Sequence, residues 1–228
     1  FEDYLNKLNG EYFGISSYPA YPHTMALADE LNKKKKYLVS TQHGVNREIN
    51  ETFEETCSTM ENTVADILLV KNHEGKKISD LNPFSKGKTF VVGTPSQMKK
   101  RKISLFKKKE IFYISTRISS ANINAINGFL TDYGRVLQEY YLVKKVLAKV
   151  NKKIIFKTYP ALDYYIDKDP VHEEVNKNKN LFLLKTPKDL QSFIPNINLI
   201  ITARATSTIS WCLLSGLPII FINYPNQY

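Results

Sequence analysis

The chain has 228 residues, of which 43% are hydrophobic, and a formal net charge of +10. That supplies enough apolar material for one large domain or two small ones, and no run reaches the roughly eighteen apolar residues of a membrane span. The charge is carried largely by lysine in tight runs, at Lys33–Lys36, at Lys99–Lys102 with Arg101 inside, and at Lys107–Lys109. Such a balance favours anionic partners, whether nucleotides, nucleic acid or anionic lipid, although a composition rich in Lys and Asn accounts for it equally.

In chain order, the first thirty residues are aromatic-rich and mixed, with a helix expected over Thr24–Leu31. Lys36–Thr41 reads as a strand that ends in the polar turn Gln42-His43-Gly44, and residues 50–63 suit a short helix. Strands follow at Ala65–Val70 and Gly87–Val92, the second ending in Gly93-Thr94-Pro95. Residues 96–109 are basic without periodicity, as in a linker. A second unit opens with the strand Glu110–Thr116. The clearest helix spans Tyr133–Val150, where Leu137, Tyr140, Tyr141, Val143, Val146 and Leu147 recur at three- and four-residue steps. Strands at Lys153–Lys157 and Leu181–Leu184 and a short helix over Pro187–Phe193 come next. The last forty residues read as a strand (Asn198–Thr202), a hydroxyl-rich turn, a helix (Ile209–Ser215), a Gly216 stop and a strand (Leu217–Ile222). The fold class is therefore α/β: two Rossmann-like units with mostly parallel sheets. The first spans 1–98, the linker 99–109 and the second unit 110–228. The opening Phe1, and an end directly after a strand, lead us to expect a piece of a longer protein.

Thr206-Ser207-Thr208 is the leading site for an anion. A turn at a strand's carboxyl end that opens a helix offers unpaired backbone N–H groups, hydroxyls and the positive end of the helix dipole. Plain helix capping explains the same residues. The spaced glycines of a dinucleotide fingerprint and the ending of a P-loop are both missing. Arg117, Lys157 and Arg204 each lie at or just past the end of a strand, where three cations on one sheet edge would neutralise a phosphate; ordinary surface charge is the plainer account. In the first unit His43 is the candidate for proton transfer near neutral pH, with Glu48 as a second base and Gly44 giving room beside a ligand. Asp132 is read as a cap of the long helix. His23, His73 and His172 show no metal-ligand spacing, so no metal is expected. Cys57 and Cys212 form no disulfide framework, which fits a reducing compartment, and Cys212 lies in an apolar helix. The basic segment 99–109 lacks a recognition motif for nucleic acid, and contact with an anionic membrane through it is the weaker alternative to a solvated linker.

Three stretches carry a resemblance: Ser40-Thr41-Gln42-His43-Gly44, Phe156-Lys157-Thr158-Tyr159-Pro160, and Ile201-Thr202-Ala203-Arg204-Ala205-Thr206-Ser207-Thr208 with Gly216-Leu217-Pro218. Over residues 36–223 the chain resembles bacterial glycosyltransferases of the two-Rossmann-domain (GT-B) type that build capsule and lipopolysaccharide, including those using nucleotide-activated acidic sugars such as Kdo. UDP-sugar epimerases share this style. The resemblance implies a nucleotide-sugar donor on the second unit, with phosphate at Thr206, Ser207 and Thr208 and nucleotide contacts from Lys157, Thr158, Tyr159 and Pro160. Arg117 and Arg204 are candidates there from their strand-end positions alone, and by resemblance His43 would serve a glycan or lipid-linked acceptor, in binding or as base. Two departures stand out: Arg204-Ala205 before the hydroxyl turn, and Tyr159-Pro160 where His-Pro is common. The resulting expectation is a cytoplasmic, metal-independent transferase without a cofactor, CMP-Kdo being favoured over a UDP- or GDP-sugar. A sugar-nucleotide epimerase is the alternative, and a nucleic-acid-binding module a further one, although no nucleic acid is expected as partner.

Overall fold

Short β-branched and aromatic runs, each too short to stand alone, become the strands of two parallel sheets. The computed structural model describes residues 10–15, 20–45, 48–49, 60–94, 110–115, 132–159, 169–203 and 207–223. Contacts divide the chain into two units, Phe1–Met98 and Lys99–Tyr228. Both are Rossmann-like α/β layers, and together they form a GT-B-like two-unit architecture.

The first sheet has the order β1-β2-β3-β4, built from Tyr12–Ile15 (β1), Tyr37–Thr41 (β2), Ile67–Val70 (β3) and Lys88–Val91 (β4), every pair parallel. Helix α1 (Pro22–Lys33) starts two residues before the expected Thr24 because Pro22 sits in the first turn, where its missing N–H costs nothing. It buries Thr24, Ala28 and Leu31, and Ala28 and Leu31 pack with Leu38 and Val64 in a small core. Helix α2 (His73–Leu81) is capped by Asn72, whose side chain accepts from the Gly75 N–H at 2.7 Å. Strand β1 was not expected. It lies at the sheet edge with Tyr12 exposed, so it lacks the apolar run that marks the inner strands. Of the helix expected over 50–63, residues 60–62 are helical, and 50–59 fall outside the described residues, as does the basic segment Lys99–Lys109.

The second sheet has the order β7-β6-β5-β8-β9, again all parallel: Glu110–Ile114 (β5), Ile154–Lys157 (β6), Leu181–Leu184 (β7), Ile197–Thr202 (β8) and Ile219–Phe221 (β9). One face carries Tyr113, Ile154, Phe156, Leu181 and Ile201 against Leu142, Val143 and Leu147 and against Val171 and Val175. Tyr113 stacks on Phe156 at 5.0 Å and donates its hydroxyl to buried Glu139 at 2.9 Å. On the other face Phe112 meets Phe193 at 5.8 Å.

The long helix departs from its expected form. Helix α3 covers Asp132–Lys145 and gives way to a 3₁₀ turn at Leu147–Lys149. Its buried side runs through Leu142, Val143 and Leu147, while Leu137, Tyr141 and Val146 are exposed. Helix α4 (Pro170–Asn176) was missed: two successive strands were expected where β6 and β7 in fact run parallel, which demands a crossover. Its signal was a cap followed by proline, Asp169-Pro170, with the Asp169 carboxylate accepting from the Val171 N–H at 2.8 Å. The helix expected over Pro187–Phe193 is reduced to a 3₁₀ turn, Leu190–Ser192. Helix α5 (Ser207–Ser215) precedes Gly216, whose φ of 66° supplies the left-handed stop.

Candidate functional site

In the second unit the strand order reverses between β5 and β8, the kind of switch point outside whose carboxyl strand ends open parallel α/β sheets bind their ligands. Leu184, Lys157, Ile114, Thr202 and Phe221 align across that edge, one from each strand. Ser115 and Thr158 extend the ladder one residue further through the bonds Ser115 N–H to Lys157 O (3.0 Å) and Thr158 N–H to Leu184 O (3.2 Å). Helix α5 opens at Ser207, a few residues past Thr202, so its N-terminus begins at the same end of the sheet. Thr208, its second residue, is half-buried.

Lys157 is the unusual group of this edge. Residues on either side of it are core, and the lysine itself is only 3% exposed. Its ammonium donates to the Thr158 carbonyl at 3.2 Å. Desolvation holds its pKa below the ordinary lysine range, and the negative charge of Asp189 opposes that shift. Tyr159 is half-buried just beyond. Arg117, Pro160, Arg204 and Thr206 lie outside the described residues, as does the Ser207 side chain.

The first unit has a separate polar cluster where β2 and β3 end. The Gln42 amide nitrogen donates to Gly44 O at 2.6 Å and to Glu48 Oε1 at 2.5 Å, while its oxygen accepts from the Lys71 N–H at 2.8 Å. Asn72 adds a bond to Glu48 Oε1 at 3.2 Å. The His43 N–H donates to Glu61 Oε1 at 2.7 Å, and Lys71 Nζ donates to His43 O at 3.3 Å. His43 remains solvent-exposed. Partial desolvation of the ring, and then the Lys71 ammonium, still hold its pKa below the ordinary histidine value. The imidazole is therefore neutral at neutral pH and able to accept a proton. Glu48 Oε1 accepts two hydrogen bonds, and its buried Oε2 has no hydrogen-bond partner among the described residues. Sequence reasoning singled out His43 and Glu48 and missed Glu61, Lys71 and Asn72 around them. Asn72 ahead of a helix was legible as a cap, whereas Glu61 carried no local signal.

Elsewhere, His172 lies 3.4 Å from Asp169 and packs edge-on to Phe156, and burial lowers its pKa. Cys212 is a free thiol, fully buried, with its pKa pushed up to about 12 by desolvation. Among the described residues, no group of three or more His, Cys, Asp or Glu could hold a metal ion, and no helix is long and apolar enough to cross a membrane.

No family model matches the chain, and no curated protein matches it by sequence. Solved structures do. A Methanocaldococcus jannaschii UDP-GlcNAc 2-epimerase in complex with UDP-GlcNAc and UDP matches with a TM-score of 0.60 at 16% identity, covering 96% of this chain and 62% of that one. The Neisseria meningitidis UDP-GlcNAc 2-epimerase bound to UDP-GlcNAc matches at 0.60 and 12% identity (96% and 61%), and the Rickettsia bellii enzyme at 0.59 and 15% (96% and 57%). The chain has the fold of these epimerases. It spans about three fifths of their length.

These likenesses correct the resemblance drawn from the strand-end motifs. Five structures that share the fold over nearly the whole chain are UDP-GlcNAc 2-epimerases, one of them by provisional assignment, not Kdo or capsule transferases. The transferase reading is withdrawn, together with its CMP-Kdo donor and glycan acceptor. The physical reason for the error is that both activities hold a sugar linked to a nucleotide through phosphate. A hydroxyl turn at a helix start serves that anion whichever bond then changes.

Proposed function

We propose that the chain is the nucleotide-binding and sugar-handling part of a metal-independent epimerase acting on a UDP-linked N-acetylhexosamine at C2. The observation that carries this reading is the match of 96% of the chain to UDP-GlcNAc 2-epimerases, two of them holding UDP-GlcNAc. In this reading the diphosphate lies at the carboxyl edge of the second sheet, against the start of α5. Thr206, Ser207 and Thr208 give it donors, Lys157, Arg117 and Arg204 give it positive charge, and Tyr159 and Pro160 flank the nucleotide. His43 accepts or returns a proton on the sugar, and Glu48 holds the turn that carries it.

The chemistry suits these groups. Inverting this carbon requires that its C–H bond be broken and remade, which calls for a proton acceptor that is unprotonated at working pH. Any route that loosens the neighbouring C1–O bond loads negative charge onto the diphosphate, where a helix N-terminus and fixed cations lower the barrier. We place the protein in the cytoplasm, where Cys212 would stay reduced.

The test is incubation of the protein with UDP-GlcNAc in deuterated water, followed by proton NMR. The expected result is loss of the H2 signal by exchange and growth of the signals of the C2 epimer, with UDP binding measured in parallel by calorimetry. Absence of both exchange and UDP binding at millimolar ligand overturns the reading.

A further inference from the structure

The turn that carries His43 is gripped on both of its flanking peptide groups. Glu61 Oε1 accepts from the His43 N–H at 2.7 Å, Lys71 Nζ donates to the His43 carbonyl at 3.3 Å, and Gln42 ties the next carbonyl, Gly44 O, at 2.6 Å. Of these, Glu61 is the costly member. It is 1% exposed, among the most buried large side chains of the protein. A buried carboxyl group is expensive to desolvate, and a single backbone N–H in an exposed turn could have been satisfied by water instead. The residue is also well anchored: on either side of it, Met60 O accepts from the Ala20 N–H at 3.2 Å and Asn62 O from the Lys86 N–H at 3.1 Å. The acceptor oxygen is thus fixed to the body of the first unit, while the residue it holds, His43, faces solvent.

We propose that Glu61 is a positioning residue for His43, its carboxyl oxygen fixing the backbone of the turn so that the imidazole meets the sugar without first having to order. The inference rests on the epimerase reading and names the device that makes its proton acceptor rigid. Fixing a reacting group in advance removes ordering entropy from the barrier, and loss of that fixing appears in kcat more than in KM. Among the described residues, Lys71 and Glu48 also carry charge to this turn: Lys71 through its bond to His43 O, Glu48 through Gln42.

The experiment compares Glu61→Ala, Glu61→Asp and Glu61→Gln in the full chain. Glutamine keeps an oxygen at the same reach. Aspartate draws it back by one methylene and keeps the burial nearly unchanged, so it reports even where the alanine variant fails to fold. We expect Glu61→Asp and Glu61→Ala to lower kcat for C2 exchange by about 10- to 100-fold with KM within about threefold, and Glu61→Gln to recover most of kcat. Amide hydrogen exchange at His43, read without substrate, is expected to be slow in the wild type and in Glu61→Gln and fast in the other two. Fast exchange with an unchanged kcat overturns the positioning role. Equal losses in all three variants, tracking their melting temperatures, overturn it in favour of a purely structural role. A wild type that protects the His43 amide yet exchanges no C2 proton refutes the epimerase reading, and the positioning role falls with it.

Discussion

Lys157→Met separates what a residue does for the fold from what it does for a ligand. The ammonium is withdrawn from water, and among the described residues its contacts comprise one hydrogen bond to Thr158 O at 3.2 Å and the attraction of Asp189. An ammonium has three donors, so the charge is poorly compensated. Methionine fills a similar volume without that burden. Replacing buried charge by apolar atoms is often neutral or stabilising by about 1–4 kcal/mol; at the low end, about 1 kcal/mol, the melting temperature rises by about 2–4 °C. Nucleotide affinity is expected to move the other way. A charge-assisted hydrogen bond to phosphate contributes about 1.5–3 kcal/mol, so UDP binding should weaken by roughly 10- to 100-fold. Calorimetry with UDP and thermal melts on the same preparations read both quantities. The pH dependence has a definite sign. With the folded pKa below the unfolded value of 10.5, the unfolded chain binds more protons between the two, so wild-type stability rises as the pH climbs towards 10.5. The methionine variant lacks that rise. A variant that binds UDP like the wild type removes Lys157 from the nucleotide site, and one that melts lower shows that the ammonium supports the fold.

Other perturbations are equally direct. His43→Ala should lower C2 exchange by at least about 100-fold, and the acid limb of the wild-type pH–rate profile should fall below the ordinary histidine value of 6.5, because desolvation and Lys71 hold the imidazole neutral. His43 and His172 both have lowered folded pKa values, so the unfolded chain takes up protons first as the pH drops through 6.5, and stability should decline from there downward in denaturant titrations. Cys212, with its thiol pushed up to about 12, should resist alkylation at pH 8 in the native protein and react on unfolding, as peptide mapping would show. Gly75→Ala should destabilise despite the helix preference for alanine: the new Cβ would sit 2.9 Å from Glu48 Oε1 and 3.2 Å from Gln42 Oε1, and the expected cost, about 1–2 kcal/mol by chemical denaturation, comes with a disturbed His43 turn.

The inner strands were legible because being buried on both faces leaves a continuous apolar run. Ile154, Ile155 and Phe156 in β6, and Ile200 and Ile201 in β8, announce themselves in this way. Edge strand β1 did not, since water covers part of it and its pattern is mixed. Periodicity over 133–150 located α3 but misjudged its buried side. Tyr141 and Val146 are apolar yet exposed, and the change to a 3₁₀ turn after Lys145 rotates Leu147 relative to an ideal helix. Helix α4 was hidden by its length of seven residues, too few for two full repeats of an apolar face. In each case a local pattern succeeded where burial was uniform and failed where tertiary contacts chose among apolar residues.

The candidate site divides in the same way. Residues proposed to act through backbone position, such as the start of α5 at Ser207, are legible because a strand, a hydroxyl turn and a helix are adjacent in sequence. Residues that act across the fold are not: Glu61 reaches His43 from 18 positions away and Lys71 from 28. This explains why the anion site we propose could be read from the sequence while the surroundings of His43 could not. In the proposed site the anion would be held by groups that are neighbours in the chain, through chemistry shared by enzymes that release or rebind a nucleoside diphosphate. In the proposed reading the choice of reaction lies with groups that meet only after folding. In the first unit those are a neutral imidazole, a buried carboxyl group on its backbone and a lysine on its carbonyl, brought together by the parallel pairing of β2 and β3. A motif suited to a diphosphate therefore does not distinguish transferring a sugar from inverting it, and in the proposed reading that distinction falls to the groups around His43.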